Sequence, residues 1–315
     1  DNYNVGVGYG AGLSVTTGIQ NVLIGSLAGD ALTDADFNVA LGHFALSADT
    51  LGSGSVAIGR QALSSQNFTS ATTSYNTAVG YNAGLSVTTG TLNTLIGGLA
   101  GDAITTGSNN VALGHDSLGL NTTGDSNTAI GEDALQANTT ASNNVAVGRR
   151  AMFANTTGTD NVAMGHNALD ANTTASNNTA IGHDALTANT TGADNTAVGA
   201  NSLKTVTTGT RNTAVGFEAL ELGTASDNVA VGYRALDTCT TGSNNTAVGT
   251  ECMDANTTGE ANVALGYRAL DANTTGSSNV AVGQQALGAN TTASNNTAVG
   301  KDSLNANTTG TFNTA

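Results

Sequence analysis

The sequence predicts an all-β protein, a parallel β-solenoid or β-roll of about 18 coils with a 17-residue repeat, and we expect it to form a homotrimer. Three observations lead to this prediction. A short motif recurs at a nearly constant interval of 17 residues. The 315 residues include 41 Gly but no Pro and no Trp, and only 10% are charged. The recurring aliphatic residues favour a packed core over disorder, and the lack of Pro indicates that most backbone N–H groups donate in a hydrogen-bonded ladder.

The repeated motif is Asn, Thr or Val, Ala, an aliphatic residue and Gly, and we number its first residue as position 0. Its 19 copies begin at Asn4, Asn21, Asn38, Ser55, Asn76, Asn93, Asn110, Asn127, Asn144, Asn161, Asn178, Asn195, Asn212, Asn228, Asn245, Asn262, Asn279, Asn296 and Asn313. The interval is 21 residues after Ser55 and 16 after Asn212. We expect one continuous repeat domain over 1–315, with a bulged coil at 55–76 whose inserted residues, including Phe68, are exposed. Because the chain stops part way through a motif, it is expected to be a fragment of a longer fibre.

Each coil is expected to contain one short strand, because position 1 is Val or Thr and position 3 is aliphatic. Position 4 is Gly in all 18 complete copies. Either a positive φ or a backbone approach too close for any Cβ demands glycine there. Positions 7 and 8, usually Ala-Leu, read as a plausible second strand. Seventeen residues are too few for a strand–helix unit, and stacked coils rising about 4.8 Å each predict a rod of about 85 Å.

The strand has two apolar or small faces, and this leads to the expected homotrimer. Side chains alternate along a strand, so positions 1 and 3 share one face while Ala at position 2 and Gly at position 4 share the other. If the small face fills a narrow coil, the branched residues need another surface, most simply two further copies in a parallel trimer. The alternative is a monomer with positions 1 and 3 inside.

The motif resembles a known family of surface proteins. Ser55-Val56-Ala57-Ile58-Gly59 and the variants Asn-Thr-Ala-Val-Gly and Asn-Val-Ala-Val-Gly are similar to the head repeat of trimeric autotransporter adhesins, and the longer pattern resembles segments of bacteriophage tail fibres. The resemblance implies a trimeric left-handed parallel β-roll and covers essentially the whole chain. The 17-residue period is longer than the usual adhesin coil, and no anchor, stalk or chaperone segment is recognised.

Charge and composition exclude several partners. The formal net charge of −15, with eight basic residues, argues against binding to nucleic acid or to an anionic membrane. No stretch approaches 18 apolar residues, so no membrane insertion is expected, and the first residues do not resemble a signal peptide. Neither catalysis nor a cofactor is predicted.

Variable chemistry is concentrated at positions 5 and 6, directly after the fixed Gly. A strict scaffold with variation confined to one turn is suited to recognition, although a simply solvated corner explains the same pattern. The candidate receptor-binding residues are Tyr81, Phe217, Tyr233, Arg234, Tyr267 and Arg268.

Two polar clusters are candidates for a metal-binding or catalytic site. His166 and His183 lie at position 5 of adjacent coils and are suited to share a metal, but the sequence offers no third ligand column, so no metal site is predicted. An acidic column is formed by Asp237, Asp254 and Asp271. Its negative charge is either offset by Arg234 and Arg268 or neutralised by a bound cation. The spacing of a carboxylate-pair hydrolase is available there, but no aromatic cleft accompanies it, so we expect no enzyme.

Three further columns have structural interpretations. Thr pairs such as Thr139-Thr140 suit an ice-binding array, although only one Thr of each pair can face outward. Nine Asn-Thr-Thr sequons lie between Asn121 and Asn307, and adjacent coils leave no room for a glycan on each. Stacked Asn side chains that exchange amide hydrogen bonds explain them better. Cys239 and Cys252 occupy different columns, so no disulfide is expected.

Together these features predict the structural shaft of a phage tail fibre or surface adhesin. The shaft is extracellular, on a virion or a bacterial surface, and it projects or contributes to host attachment. It binds its own copies, and a receptor or glycan is bound through a tip outside this chain. The alternatives are a self-assembling extracellular filament and an ice-binding solenoid.

Overall fold

The structure, a computed structural model, describes residues 2–315. The chain divides into two compact units, Asp1–Asp160 and Asn161–Ala315. Each is a parallel β-solenoid with the 17-residue repeat, and together they contain about 17 turns. No helix occurs among residues 2–315. The all-β solenoid prediction is therefore confirmed, while a single domain over 1–315 stays a prediction.

Each coil contributes one three-residue strand at positions 1 to 3. The strands of the first unit are β1 Val5–Val7, β2 Val22–Ile24, β3 Val39–Leu41, β4 Gly52–Ser53, β5 Val56–Ile58, β6 Thr72–Thr73, β7 Thr77–Val79, β8 Thr94–Ile96, β9 Val111–Leu113, β10 Thr128–Ile130 and β11 Val145–Val147. Those of the second unit are β12 Val162–Met164, β13 Thr179–Ile181, β14 Thr196–Val198, β15 Thr213–Val215, β16 Val229–Val231, β17 Thr246–Val248, β18 Val263–Leu265, β19 Val280–Val282 and β20 Thr297–Val299. Only β4 and β6 depart from the one-strand pattern, and they pair with each other beside the bulged coil.

Within each unit the strands pair in parallel and in register, so that every residue lies over its counterpart in the next coil. Ala129 pairs with Ala146 in the first unit, and Ala180 pairs with Ala197 in the second. The register is kept across the long coil, where Ala57 pairs with Ala78. Backbone bonds between coils continue beyond the strands, as from the Thr105 N–H to the Thr122 carbonyl at 2.9 Å. Such a ladder explains the lack of Pro, which has no N–H to donate.

From β2 onward, the middle residue of each three-residue strand fills a narrow core. Ala40, Ala57 and Ala78 at position 2 are fully buried, whereas the neighbours at positions 1 and 3 are half-buried or exposed. The small face is therefore the interior, as expected. Positions 1 and 3 are therefore not inside the coil, as the alternative required, whereas the homotrimer stays a prediction.

The fixed Gly at position 4 satisfies both reasons given for it. Its φ lies between 128° and 146° along the column, a region that L-residues rarely adopt. A Cβ on Gly25 would also lie 2.6 Å from the carbonyl oxygen of Gly42 in the next coil. Glycine therefore permits both the turn and the close stacking of neighbouring coils.

The predicted second strand at positions 7 and 8 is wrong. No strand occurs there among the described residues, because the flanking backbone turns sharply. Positions 6, 8 and 16 adopt left-handed φ values of 48° to 62° even where the residue is not Gly, as at Phe44 and Leu46. Each such residue costs about 1–2 kcal/mol in isolation. Hydrogen bonds between coils offset this cost, since the N–H of Phe44 donates to Ser26 and that of Leu46 to Ala62.

Two coils exchange residue size across the thin core. Most coils have Ala at position 2 and Leu at position 8, but the coils of Leu23 and Leu95 have the large residue at position 2 and Gly29 or Gly101 at position 8. A Cβ on Gly29 would lie 2.7 Å from a Leu23 methyl, and one on Gly101 would lie 2.8 Å from a Leu95 methyl. Core volume is thus kept nearly constant, as close packing requires.

The bulged coil differs from its prediction at Phe68. Inserted residues such as Ser65 and Thr69 are exposed as expected, but Phe68 is buried and its backbone N–H donates to Asp49 at 3.1 Å. Gln66 is also buried, and its Nε2 donates to the Asp49 carboxylate at 2.7 Å. The insertion is therefore anchored inward, because its residues supply two of the donors that the buried carboxylate of Asp49 requires.

Candidate interaction surfaces

The outer columns are the side chains at positions 1 and 3, which face away from the core. They form rows of Val, Ile, Leu, Met and Thr on one side of each unit. Leu113 is 44% exposed and Leu265 is 48% exposed. Large contiguous apolar surfaces on soluble proteins usually mark interaction sites. Further exposed members are Leu41, Ile96, Met164, Ile181, Val215, Val263 and Val299.

The corner columns are the side chains at positions 5 and 6, and they carry all six candidate receptor-binding residues. Tyr81, Phe217, Tyr233 and Tyr267 are exposed. Phe217 and Tyr233 stack with ring centroids 5.8 Å apart and planes 8° apart. The structure thus forms one exposed aromatic pair from two coils.

The remaining aromatic candidates are each paired with an arginine instead of with another ring. The Arg268 guanidinium lies 5.9 Å from the centre of Tyr267, and that of Arg60 lies 5.5 Å from Tyr81. Thr250 occupies position 5 between Tyr233 and Tyr267. Within the second unit, one coil therefore separates the Phe217–Tyr233 ring pair from Tyr267.

Arg234 and Arg268 lie among the carboxylates of the acidic column, as the sequence analysis expected. Arg234 Nη2 is 2.8 Å from Asp237 Oδ2 and 3.5 Å from Asp254 Oδ1. Arg268 Nε is 3.1 Å from Glu251 and 3.2 Å from Asp271. Each arginine therefore neutralises carboxylates of its own coil and of an adjacent coil. Part of its positive charge is thus already paired within the solenoid.

Burial shifts the titration of this acidic column. Desolvation is the main cause that raises the pKa of Asp254 and Asp271 above the ordinary aspartate value, while Arg234 and Arg268 lower them in part. The same cause raises the pKa of Glu221. The hydrogen bond to Asp237 raises the pKa of Arg234. Asp254 and Asp271 are thus costly to ionise, and the arginines compensate incompletely.

The two neighbouring histidines acquire a third potential ligand in the structure. His166 and His183 stack with ring centroids 5.3 Å apart and planes 14° apart. Asp184, at position 6 beside His183, places a carboxylate oxygen 3.4 Å from His183 Nδ1. Sequence reasoning missed Asp184 because it searched for a ligand in a single column, whereas the left-handed turn at position 6 brings the two columns together.

The sequons form an amide ladder inside the coil. Asn138 Nδ2 donates to Asn121 Oδ1 at 2.8 Å, and Asn155 Nδ2 donates to Asn138 Oδ1 at 2.9 Å. All three side chains are fully buried. The expectation of stacked amides is confirmed, and these positions are closed to a glycan.

The Thr pairs and the cysteines also have structural roles. Thr139 at position 12 donates its hydroxyl to the Thr156 carbonyl at 3.1 Å, while Thr140 at position 13 is exposed. One Thr of each pair faces outward, as expected. Cys239 and Cys252 are buried free thiols, and burial raises their pKa to about 11 and about 12 respectively. Thiols with such pKa values are poor nucleophiles.

Comparison with known proteins found neither a matching family model nor a matching curated protein. Within residues 2–315, no helix has the length and apolar character needed to cross a membrane.

Proposed function

We propose that this chain is the structural shaft of a phage tail fibre or surface adhesin, built from three parallel copies that meet along their outer columns. The observation that carries the proposal is the exposure of branched and aliphatic side chains at the same two positions of successive coils. Apolar area removed from water contributes about 25 cal/mol per Å². A column repeated in every coil accumulates that gain along the shaft.

A second copy of the chain suits these columns better than an unrelated partner. Successive strands pair in register, so a parallel copy brings equivalent residues of the two chains to the same level along the solenoid. Rotation about a common axis gives each copy the same environment, which a closed ring of three satisfies. The Thr residues that take the place of Val at position 1 of many coils add hydroxyl groups without adding charge.

In this function the shaft acts mechanically and at an extracellular surface. Stacked, hydrogen-bonded coils form a stiff spacer that holds a receptor-binding tip away from the particle or cell. The exposed corner aromatics Tyr81, Phe217, Tyr233 and Tyr267 add weak contacts to a receptor or glycan, and simultaneous contacts on three copies strengthen one another. The anionic surface does not favour nucleic acid or anionic membranes as partners.

The test is the mass of the purified chain in solution by light scattering. We expect three times the mass of one chain. Replacing two outer leucines, Leu113→Lys with Leu265→Lys, places charges in the interface and is expected to give monomers. The matched control puts lysine at position 5 of the same coils, His115→Lys with Tyr267→Lys, and is expected to remain trimeric.

Each alternative outcome has a separate meaning. A monomeric wild-type chain, or a trimer that survives the two outer lysines, overturns the proposed interface. Fibres that lengthen end to end in electron micrographs favour the self-assembling filament. Equal disruption by both lysine pairs indicates that corner residues, not the outer columns, hold the copies together.

A further inference from the structure

We propose that His166, His183 and Asp184 form a binding site for a divalent transition metal such as Zn²⁺. One nitrogen of each imidazole and one oxygen of Asp184 all lie within 4.8 Å of one another. The site lies entirely within the second unit, and it does not depend on the proposed trimer. It departs from the sequence prediction of no metal site, which rested on the lack of a third ligand.

The donor set fits zinc in both kind and number. Two imidazoles and a carboxylate are ligands of catalytic and regulatory zinc sites, which keep a fourth position for water. Tetrahedral bonds of about 2.0–2.2 Å place ligand atoms about 3.3 Å apart. The three donors therefore need to approach by about 1 to 1.5 Å at most. His183 is 61% exposed in its side chain, so its ring is free to rotate without disturbing the core.

The surroundings of Asp184 hold its carboxylate in a suitable direction. Asn167 Nδ2 donates to Asp184 Oδ1 at 3.1 Å. The other oxygen, Oδ2, lies 3.4 Å from His183 Nδ1 and 3.9 Å from Lys204 Nζ, an ammonium group that a bound cation would displace. A hydrogen bond on one carboxylate oxygen that leaves the second toward the metal is the usual arrangement around protein-bound zinc.

The position of the ligands defines what the metal would do. His166 belongs to one coil, whereas His183 and Asp184 belong to the next. A bound ion would therefore join two consecutive coils by coordinate bonds in addition to the backbone ladder. Because the ion binds the folded arrangement and not the separated coils, it would stabilise the fold by a free energy that grows with the logarithm of its concentration relative to its dissociation constant.

Isothermal titration of the metal-free chain with Zn²⁺ tests the site directly. We expect one saturable site per chain, with affinity at least tenfold weaker in His183→Gln and in Asp184→Asn. His43→Gln is the matched control, because His43 also occupies position 5 but has Ser26 and Arg60 as its column neighbours. It is expected to bind like the wild-type chain.

Co²⁺ gives a second readout that reports ligand geometry. Binding at the site is expected to produce visible d–d absorption typical of low coordination number, and His183→Gln is expected to remove it. The absence of saturable Zn²⁺ binding overturns the proposal. So does equal weakening in His183→Gln and His43→Gln, which would indicate adventitious binding to surface histidines.

Discussion

Within every coil, the buried columns and the corner columns lie a few residues apart and accept very different chemistry. The adjacent half-buried residues Gly97 and Gly98 illustrate how the tightly stacked column at position 4 differs from the corner column at position 5. A Cβ on Gly97 would lie 2.6 Å from the carbonyl carbon of Gly114, whereas the atom nearest to a Cβ on Gly98 would be His115 Cδ2 at 3.8 Å. A buried residue contacts its own counterparts in neighbouring coils, so one change is felt in both directions. A corner residue faces mainly solvent, which explains why Tyr, His, Arg and Glu all occur there.

The largest expected effect on stability comes from adding a Cβ to a glycine of the tightly stacked column. Gly97→Ala combines an unfavourable φ of 139° with overlap against the next coil, and we expect it to destabilise the chain by about 2–5 kcal/mol. Gly98→Ala has neither problem and is expected to change stability by less than about 0.5 kcal/mol. Chemical denaturation of both variants measures the difference. Similar stabilities would mean that the coils are able to move apart at little cost.

The buried column at position 11 is also selective, but for charge and hydrogen-bonding groups instead of side-chain volume. Asn138 uses its Nδ2 to donate to two oxygens, Asn121 Oδ1 and the Ala141 carbonyl. Asp49 occupies the same position 11 in the coil before the insertion. Its carboxylate accepts hydrogen bonds from the Gly52 N–H at 3.0 Å and from Gln66. The column therefore accepts either an amide or a carboxylate, according to whether its neighbours are acceptors or donors.

Exchanging these two residue types is expected to destabilise both sites. Asn138→Asp loses two donated hydrogen bonds and faces a buried charge with carbonyl oxygens, so we expect a loss of about 2–4 kcal/mol at pH 7. The loss is expected to shrink in acid, because a protonated carboxyl group donates again. Asp49→Asn removes a charge-assisted acceptor and is expected to cost about 1–2 kcal/mol. Thermal melts at pH 7 and pH 4 measure both effects.

The control for these exchanges is Thr140→Ala, an exposed residue of the same coil as Asn138. It is expected to change stability by less than about 0.5 kcal/mol. If Asn138→Asp were as mild as this control, the amide ladder would not contribute to stability. If Asp49→Asn stabilised the chain, the donors around Asp49 would not compensate for burying its charge.

The sequence predicted the features that repeat and missed those that depend on local turns. The period, the single strand, the reason for glycine at position 4 and the stacked Asn side chains follow from residue types that recur in every coil. The left-handed turns at positions 6 and 8 were missed because Leu46 and Phe44 carry no signal for positive φ. The approach of Asp184 to His183 depends on the turn at position 6, and the burial of Phe68 depends on its hydrogen bond to Asp49. The exchange of Leu23 with Gly29 was readable as a paired change in size.

The smallest expected effect concerns two aspartates with opposite environments, Asp102 and Asp227. Desolvation, followed by repulsion from Asp116, raises the pKa of Asp102 above 3.8. The folded chain therefore holds this proton more tightly than the unfolded chain, so the stability that Asp102 contributes is greatest below pH 3.8 and is lost as the pH rises through its folded pKa. Asp102→Asn is thus expected to stabilise the chain at pH 7, by about 0.5–1 kcal/mol, and to have no effect at pH 3.

Asp227 is the matched case of opposite sign. Its hydrogen bonds with Arg211, at 2.6 and 2.9 Å, lower its pKa below 3.8. Its stabilising contribution is therefore present above pH 3.8 and is lost as the pH falls through the folded pKa. Asp227→Asn is expected to lower the melting temperature slightly at pH 7 and not at low pH. Asn is the substitute because it tolerates the left-handed φ of 62° at this position. If Asp102→Asn and Asp227→Asn shifted the melting temperature in the same direction at pH 7, burial of Asp102 and the ion pair of Asp227 would not determine how these residues affect stability.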